Sequence, residues 1–92
     1  MDTIIRRRAA ATALGLSISR FHAAVVGGIL PPLIKVGPRA SGLLASEVAC
    51  LVKARAAGLS EADMQTLTRR LVRARNQAGQ ELKSGSAVSV SN

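Results

Sequence analysis

The segment Arg7 to Gly28, RRAAATALGLSISRFHAAVVGG, decides the fold, because two helix-length runs meet there at one short break, Gly15-Leu16-Ser17. Ala10, Ala13 and Leu14 recur at i, i+3 and i+4, which predicts a first helix from about Arg7 to Leu14 that stops at Gly15, a residue suited to positive φ. Leu16 then packs beneath the turn. Ser17 offers a hydroxyl to the free amides of a second helix, Ile18 to about Val26, which ends at Gly27-Gly28. At 100° per residue Ile18, Phe21 and Val25 fall within about 60° of one another and form the buried stripe, while Ser19, Arg20 and Ala23 face the other way. Two short helices so joined match a helix-turn-helix, whose second helix presents its first residues to base edges in the major groove.

Outward from this pair, Ile29 to Leu44 carries three prolines and two glycines, with apolar residues Ile29, Leu33, Ile34 and Val36 interspersed with Lys35 and Arg39. A short hairpin, or wing, fits this pattern. Leu44, Val48, Leu51 and Val52 stand at i, i+4, i+7 and i+8, and Ser46 with Glu47 supplies helix-start chemistry, so a third helix runs to about Ala57. Ser60 and Asp63 have capping-box-like spacing ahead of Met64, Leu67, Leu71, Ala74 and Ala78, a fourth helix with one apolar seam. The Ser-rich stretch from Lys83 to Asn92 reads as a disordered tail. The expected organisation is therefore a DNA-binding unit over 1–58, a C-terminal helix over 59–82 and a tail over 83–92.

Composition narrows the function. A chain of 92 residues makes one domain plus one appended element. Thirteen Lys and Arg against five Asp and Glu give a formal charge of +8, which calls for a polyanionic partner, nucleic acid ahead of an anionic membrane surface. Phe21 is the single aromatic, so the core is aliphatic and helix-favouring, and there are no rings on which unpaired bases could stack. Duplex DNA is the better match. Cys50, between apolar neighbours, reads as a buried thiol in a reducing compartment, and the expected location is the bacterial cytoplasm.

Other classes fare worse. Arg6, Arg7 and Arg8 followed by Ala9 to Ile18 resemble the start of a secretory signal, but Arg20 and His22 interrupt the apolar run. No stretch reaches the roughly 18 apolar residues of a membrane span. A membrane-surface peptide would need one long two-faced helix, which the glycines and prolines prevent. One His, one Cys and five scattered acids supply no nucleophile-base pair, metal cluster or phosphate loop, so neither catalysis nor a cofactor is expected.

Ile4-Ile5-Arg6, Gly15-Leu16-Ser17, Lys35-Val36-Gly37-Pro38-Arg39-Ala40, Gly42 and Ser46-Glu47-Val48, in that order, resemble the AlpA family over roughly Ile4 to Arg55. The stretch around Gly37-Pro38 is the most specific. The chain departs from the family's usual residues at His22-Ala23, Arg7 and Leu43. The resemblance implies a mostly α, MerR-like or excisionase-like winged helix-turn-helix with a short β-hairpin wing and an extra C-terminal helix. It implies a protein of a prophage or integrative element, either an excisionase that sets recombination direction, with an integrase as partner, or a transcriptional regulator. Excisionase is the slightly favoured role, since the chain carries little beyond the DNA-reading unit.

By the same resemblance DNA contacts fall on Ser17, Ser19, Arg20 and His22 of the second helix and on Lys35 and Arg39 of the wing. The residues themselves select nearly the same set. Arg20 either reads guanine through two hydrogen bonds or holds a phosphate. Ser17 either caps the helix or bonds a phosphate, and His22 stands about 40° from Ile18, at the edge of the buried stripe. Lys35 and Arg39 bracket a turn that would aim both cations at the backbone or minor groove. Arg6, Arg7 and Arg8 oppose the dipole of the first helix, a repulsion a bound phosphate would relieve. Arg69, Arg70, Arg73 and Arg75 either extend the footprint or flank a seam, through Met64, Leu67 and Leu71, that packs on the chain's own domain or pairs two subunits on DNA.

Overall fold

The structure, a computed structural model, describes residues 2–91, with side chains described for residues 2–83. The elements follow in the order β1 (Ile4–Arg6), α1 (Arg7–Ala13), α2 (Ile18–Val26), β2 (Ile34–Gly37), β3 (Ala40–Leu44), α3 (Ala45–Ala56) and α4 (Glu61–Ser91). The fold is mostly helical with a small three-stranded antiparallel sheet. Of the stretch expected as a tail, only Lys83 falls among the residues with described side chains.

α1 closes through Gly15, whose φ of 71° lets the Leu16 amide turn back to the Ala11 carbonyl at 2.9 Å and the Gly15 amide to Thr12 at 3.0 Å. Ser17 then caps α2, its hydroxyl accepting from the Arg20 amide at 3.2 Å. The four-residue turn sets α1 and α2 at 96° to each other. Gly28 and Gly58 end α2 and α3 in the same way.

The hairpin forms where the Pro/Gly pattern places it, with Ile34 opposite Gly42, Lys35 opposite Ser41 and Gly37 opposite Ala40, and a bulge between Lys35 and Gly37. What sequence periodicity misses is β1. Three residues are too few for a pattern, and Ile4-Ile5-Arg6 becomes a strand only because β3 offers a free edge, pairing Ile4 with Leu44, Ile5 with Leu43 and Arg6 with Gly42. Gly42 lies at the crowded middle of the sheet, where a Cβ would collide with the Ile5 carbonyl.

Beneath the sheet, Ala10, Ala11 and Leu14 of α1, Phe21 of α2, Leu30, Leu43, and Val48, Leu51 and Ala54 of α3 form one buried cluster, joined by Met64 of α4. Leu67 and Leu71 pack against it. Of the two readings of the seam Met64, Leu67 and Leu71, the fold shows packing on the chain's own core, with Met64 buried and Leu67 and Leu71 half-buried over the apolar face that α1, α2 and α3 leave. Two further readings change. Cys50 is half-buried rather than buried, and Val52 is 36% exposed, since the core stripe of α3 runs through Val48, Leu51 and Ala54.

At the start of α3 the Glu47 half of the expected helix-start chemistry is present, while Ser46 does not cap. Leu44 is its N-cap, and the amides of the first turn find acceptors elsewhere: Ala45 donates to the Thr3 carbonyl at 2.7 Å and Ser46 to Asp2 Oδ1 at 3.0 Å. The Ser46 hydroxyl donates to Asp2 Oδ2 at 2.6 Å. Glu47, only 3% exposed, accepts from the Leu44 amide at 3.1 Å. It also accepts from Arg75 of α4, through Nη2 on Oε1 at 2.6 Å and Nε on Oε2 at 3.0 Å. Arg75 Nη1 donates to the Pro32 carbonyl at 3.0 Å, and Thr68 Oγ1 to the Ile29 carbonyl at 2.6 Å, so α4 is tied to the 29–32 loop as well.

Replacing Arg75 with Met leaves a buried carboxylate with one remaining donor and is expected to cost about 3–5 kcal/mol in urea unfolding. Adding Glu47→Gln to Arg75→Met should recover part of that loss, since the uncompensated charge is gone. The hydrogen bonds of the Ser46 hydroxyl and amide hold the Asp2 carboxyl below its ordinary value of 3.8. A lowered value in the folded state means the contribution is present above pH 3.8 and is lost as the pH falls through the lowered value. The melting temperatures of the wild type and Asp2→Asn should thus differ from neutral pH down to about 3.8 and converge only as the pH falls through the lowered value.

Candidate nucleic-acid interface

Because β1 runs directly into α1, Arg6 ends a strand and caps a helix at once, and Arg7 and Arg8 follow in the first turn. No acid stands in that turn. The pairing of Arg6 with Gly42 brings the three arginines beside the outgoing limb of the hairpin, near Arg39. Three shallow depressions record the result. One, of about 200 Å³, is lined by Arg6, Arg7, Arg8, Arg39, Ala40 and Ser41. A second, of about 400 Å³, takes in Arg7, Lys35 and Arg39 around Gly37-Pro38. A third, of about 270 Å³, runs from Arg8 past Thr12 and Leu16 to Ser17 and Ile18.

Arg7 is common to the first two and Arg8 to the first and third, so the depressions form one strip from the hairpin tip to the start of α2. Five cations line it, namely Arg6, Arg7, Arg8, Lys35 and Arg39, all exposed. None lines it with an acid for company, and among the described residues the single ion pair is the distant Arg75–Glu47. Such a surface concentrates positive potential and attracts anions.

α2 continues the strip at its Ser17 end. Ser19 and Arg20 are exposed on the face away from the core, and the Arg20 amide is bound to the Ser17 hydroxyl. Ser17 thus acts as a cap with its side chain still at the surface. His22 is drawn inward: half-buried, its ring meets Phe21 edge to face at 6.0 Å and 78°. Of the nine residues expected to touch DNA it is the one the fold turns partly away. Ser41, opposite Lys35 in the hairpin, joins the strip without having been singled out, and only strand register reveals it.

Among the described residues no three His, Cys, Asp or Glu side chains gather as a metal site, and no single helix is long and apolar enough to cross a membrane. Compared with known protein families, characterised proteins and solved structures, the chain matches none.

Cations that serve a ligand rather than the fold contribute little to stability. Arg7→Ala and Arg39→Ala should each shift unfolding free energy by no more than about 0.5 kcal/mol. Added phosphate, by relieving their mutual repulsion, should raise the wild-type melting temperature more than that of the Arg7→Ala/Arg39→Ala double variant.

Proposed function

We propose that this chain binds double-stranded DNA as a winged helix-turn-helix protein, with α2 as recognition helix and the β2–β3 hairpin as wing. The observation that carries the reading is the continuous strip of unpaired cations that joins the hairpin tip, the β1–α1 junction and the first turn of α2. The 96° between α1 and α2 across a four-residue glycine turn supports it, being the arrangement in which the first helix crosses the backbone while the second enters the major groove. α2 is nine residues long, about 13 Å, and a groove about 12 Å wide admits a helix. The single aromatic, Phe21, is wholly buried, which removes any stacking platform and favours a duplex over single strands.

In this arrangement Arg20 meets a base edge, Ser17 and Ser19 bond phosphate oxygens, and Arg6, Arg7, Arg8, Lys35 and Arg39 neutralise the backbone on either side. The hairpin lies along the same strip, so its cations reach phosphates or the minor groove flanking the site. The resemblance to the AlpA family supports two roles for such a reader, excision of a mobile element or control of its promoter, and which DNA it prefers separates them.

The test is fluorescence anisotropy with duplexes tiled across the gene's own promoter and the attachment region of the element, at two salt concentrations and with scrambled competitor. Tight, salt-dependent binding to one duplex is expected, and a duplex from the attachment region identifies an excisionase whereas one from the promoter identifies a regulator. Arg20→Ala should cost about 1–3 kcal/mol on the preferred duplex and relax base preference, while Lys35→Ala should weaken all duplexes alike and lower the salt slope by about 1. Equal, weak binding of every duplex would sink the proposal.

A further inference from the structure

A second cationic surface lies at the other end of α2. A depression of about 600 Å³ runs between Gly27-Gly28 and α4 and is lined on the helix by Gln65, Thr68, Arg69, Val72, Arg73 and Asn76. Gln65 donates to the Gly27 carbonyl at 3.2 Å and Arg69 to the Thr66 hydroxyl at 3.1 Å, which fixes the groove wall and leaves Arg73 and Asn76 open. At 100° per residue Gln65, Arg69, Arg73, Asn76, Gln80 and Lys83 fall within about 80° of one another, opposite the seam of Met64, Leu67 and Leu71. This ridge contains only cations and amides over a length of about 27 Å. The acids of α4, Glu61, Asp63 and Glu81, stand off it.

A solvated helix face ordinarily mixes both signs, and Arg69 and Arg73, four residues apart, repel each other where an acid would have stabilised the turn. Arginine, lysine and side-chain amides in one row are instead the groups that bond phosphate oxygens. The ridge shares no lining residue with the strip around Arg7, and the two touch opposite ends of α2. The Gly27 end lies about 13 Å along α2 from the Ser17 end.

We infer that the outer ridge of α4 is a second contact surface for the DNA backbone, so that one chain holds two duplex segments at once. This rests on the DNA-binding reading of the first strip. The contact is sequence-independent, because its donors meet phosphate oxygens and not base edges.

The experiment captures a labelled duplex from solution onto beads that carry a second duplex saturated with protein, alongside anisotropy on a single duplex. The wild type should capture the free duplex. The Arg69→Ala/Arg73→Ala variant should lose at least about tenfold in capture while binding a single duplex within about twofold of the wild type, two phosphate contacts being removed from the second surface only. Failure of the wild type to capture, or undiminished capture by the variant, as when a dimer bridges or when an acidic protein surface is the true occupant of the ridge, overturns the inference. An equal loss in both assays also overturns it, placing α4 in the footprint of one bent duplex. Absence of single-duplex binding by the wild type would bring down the first reading as well, whereas intact single-duplex binding without capture brings down only this one.

Discussion

Glu47 is a carboxylate almost without solvent, and such a group is tolerated only where its charge is answered at short range. Arg75 answers it with two donors, 28 residues later in the chain, and passes its third to the Pro32 carbonyl. The Leu44 amide takes up a further lone pair. One pair of side chains therefore joins the end of β3, the start of α3, the Pro31-Pro32 loop and the middle of α4. The burial of Met64 and the packing of Leu67 and Leu71 follow from the same placement, since a helix anchored at both Thr68 and Arg75 has its apolar seam laid on the core.

The N-terminus is anchored by comparable means. Asp2 and Thr3 supply the acceptors that the first turn of α3 lacks, and this holds β1 against β3. Because β1 flows without a break into α1, fixing the strand also fixes Arg6, Arg7 and Arg8 beside the hairpin. Two of the five acids of the chain, Asp2 and Glu47, are thereby spent on structure, and neither lines the strip. The cations around Arg39 consequently face solvent with no acid among the residues lining their depressions, a condition that costs the fold a modest repulsion and concentrates positive potential.

The outer face of the molecule is polar in a particular way. The strip near Ser17 and the ridge of α4 are both built of donors, and α2 is the element that spaces them. Its sole aromatic is turned wholly inward and its histidine is stacked edge-on against it, so the face it exposes is made of Ser19, Arg20, Ala23 and Val26. Small and hydrogen-bonding side chains on a short helix leave room for close approach to another surface.

Much of this was legible from residue order alone. Local chemistry determined the helix breaks: Gly15 needs positive φ, Ser17 caps with its own hydroxyl, and the apolar spacing of Ile18, Phe21 and Val25 selects a face, all within a few residues. The hairpin between Ile34 and Leu44 followed from its turn residues, and the net charge pointed to a polyanion. Tertiary structure alone decided the remainder, because it depends on partners distant in the chain. β1 exists through the edge of β3, the cap of α3 comes from Asp2, 44 residues away, Arg75 is taken by Glu47, and the seam of α4 closes on its own core. Three separate groups of cations became one surface only when the sheet set Arg6 beside Gly42, since periodicity records which side a residue faces and not what the chain later lays beside it.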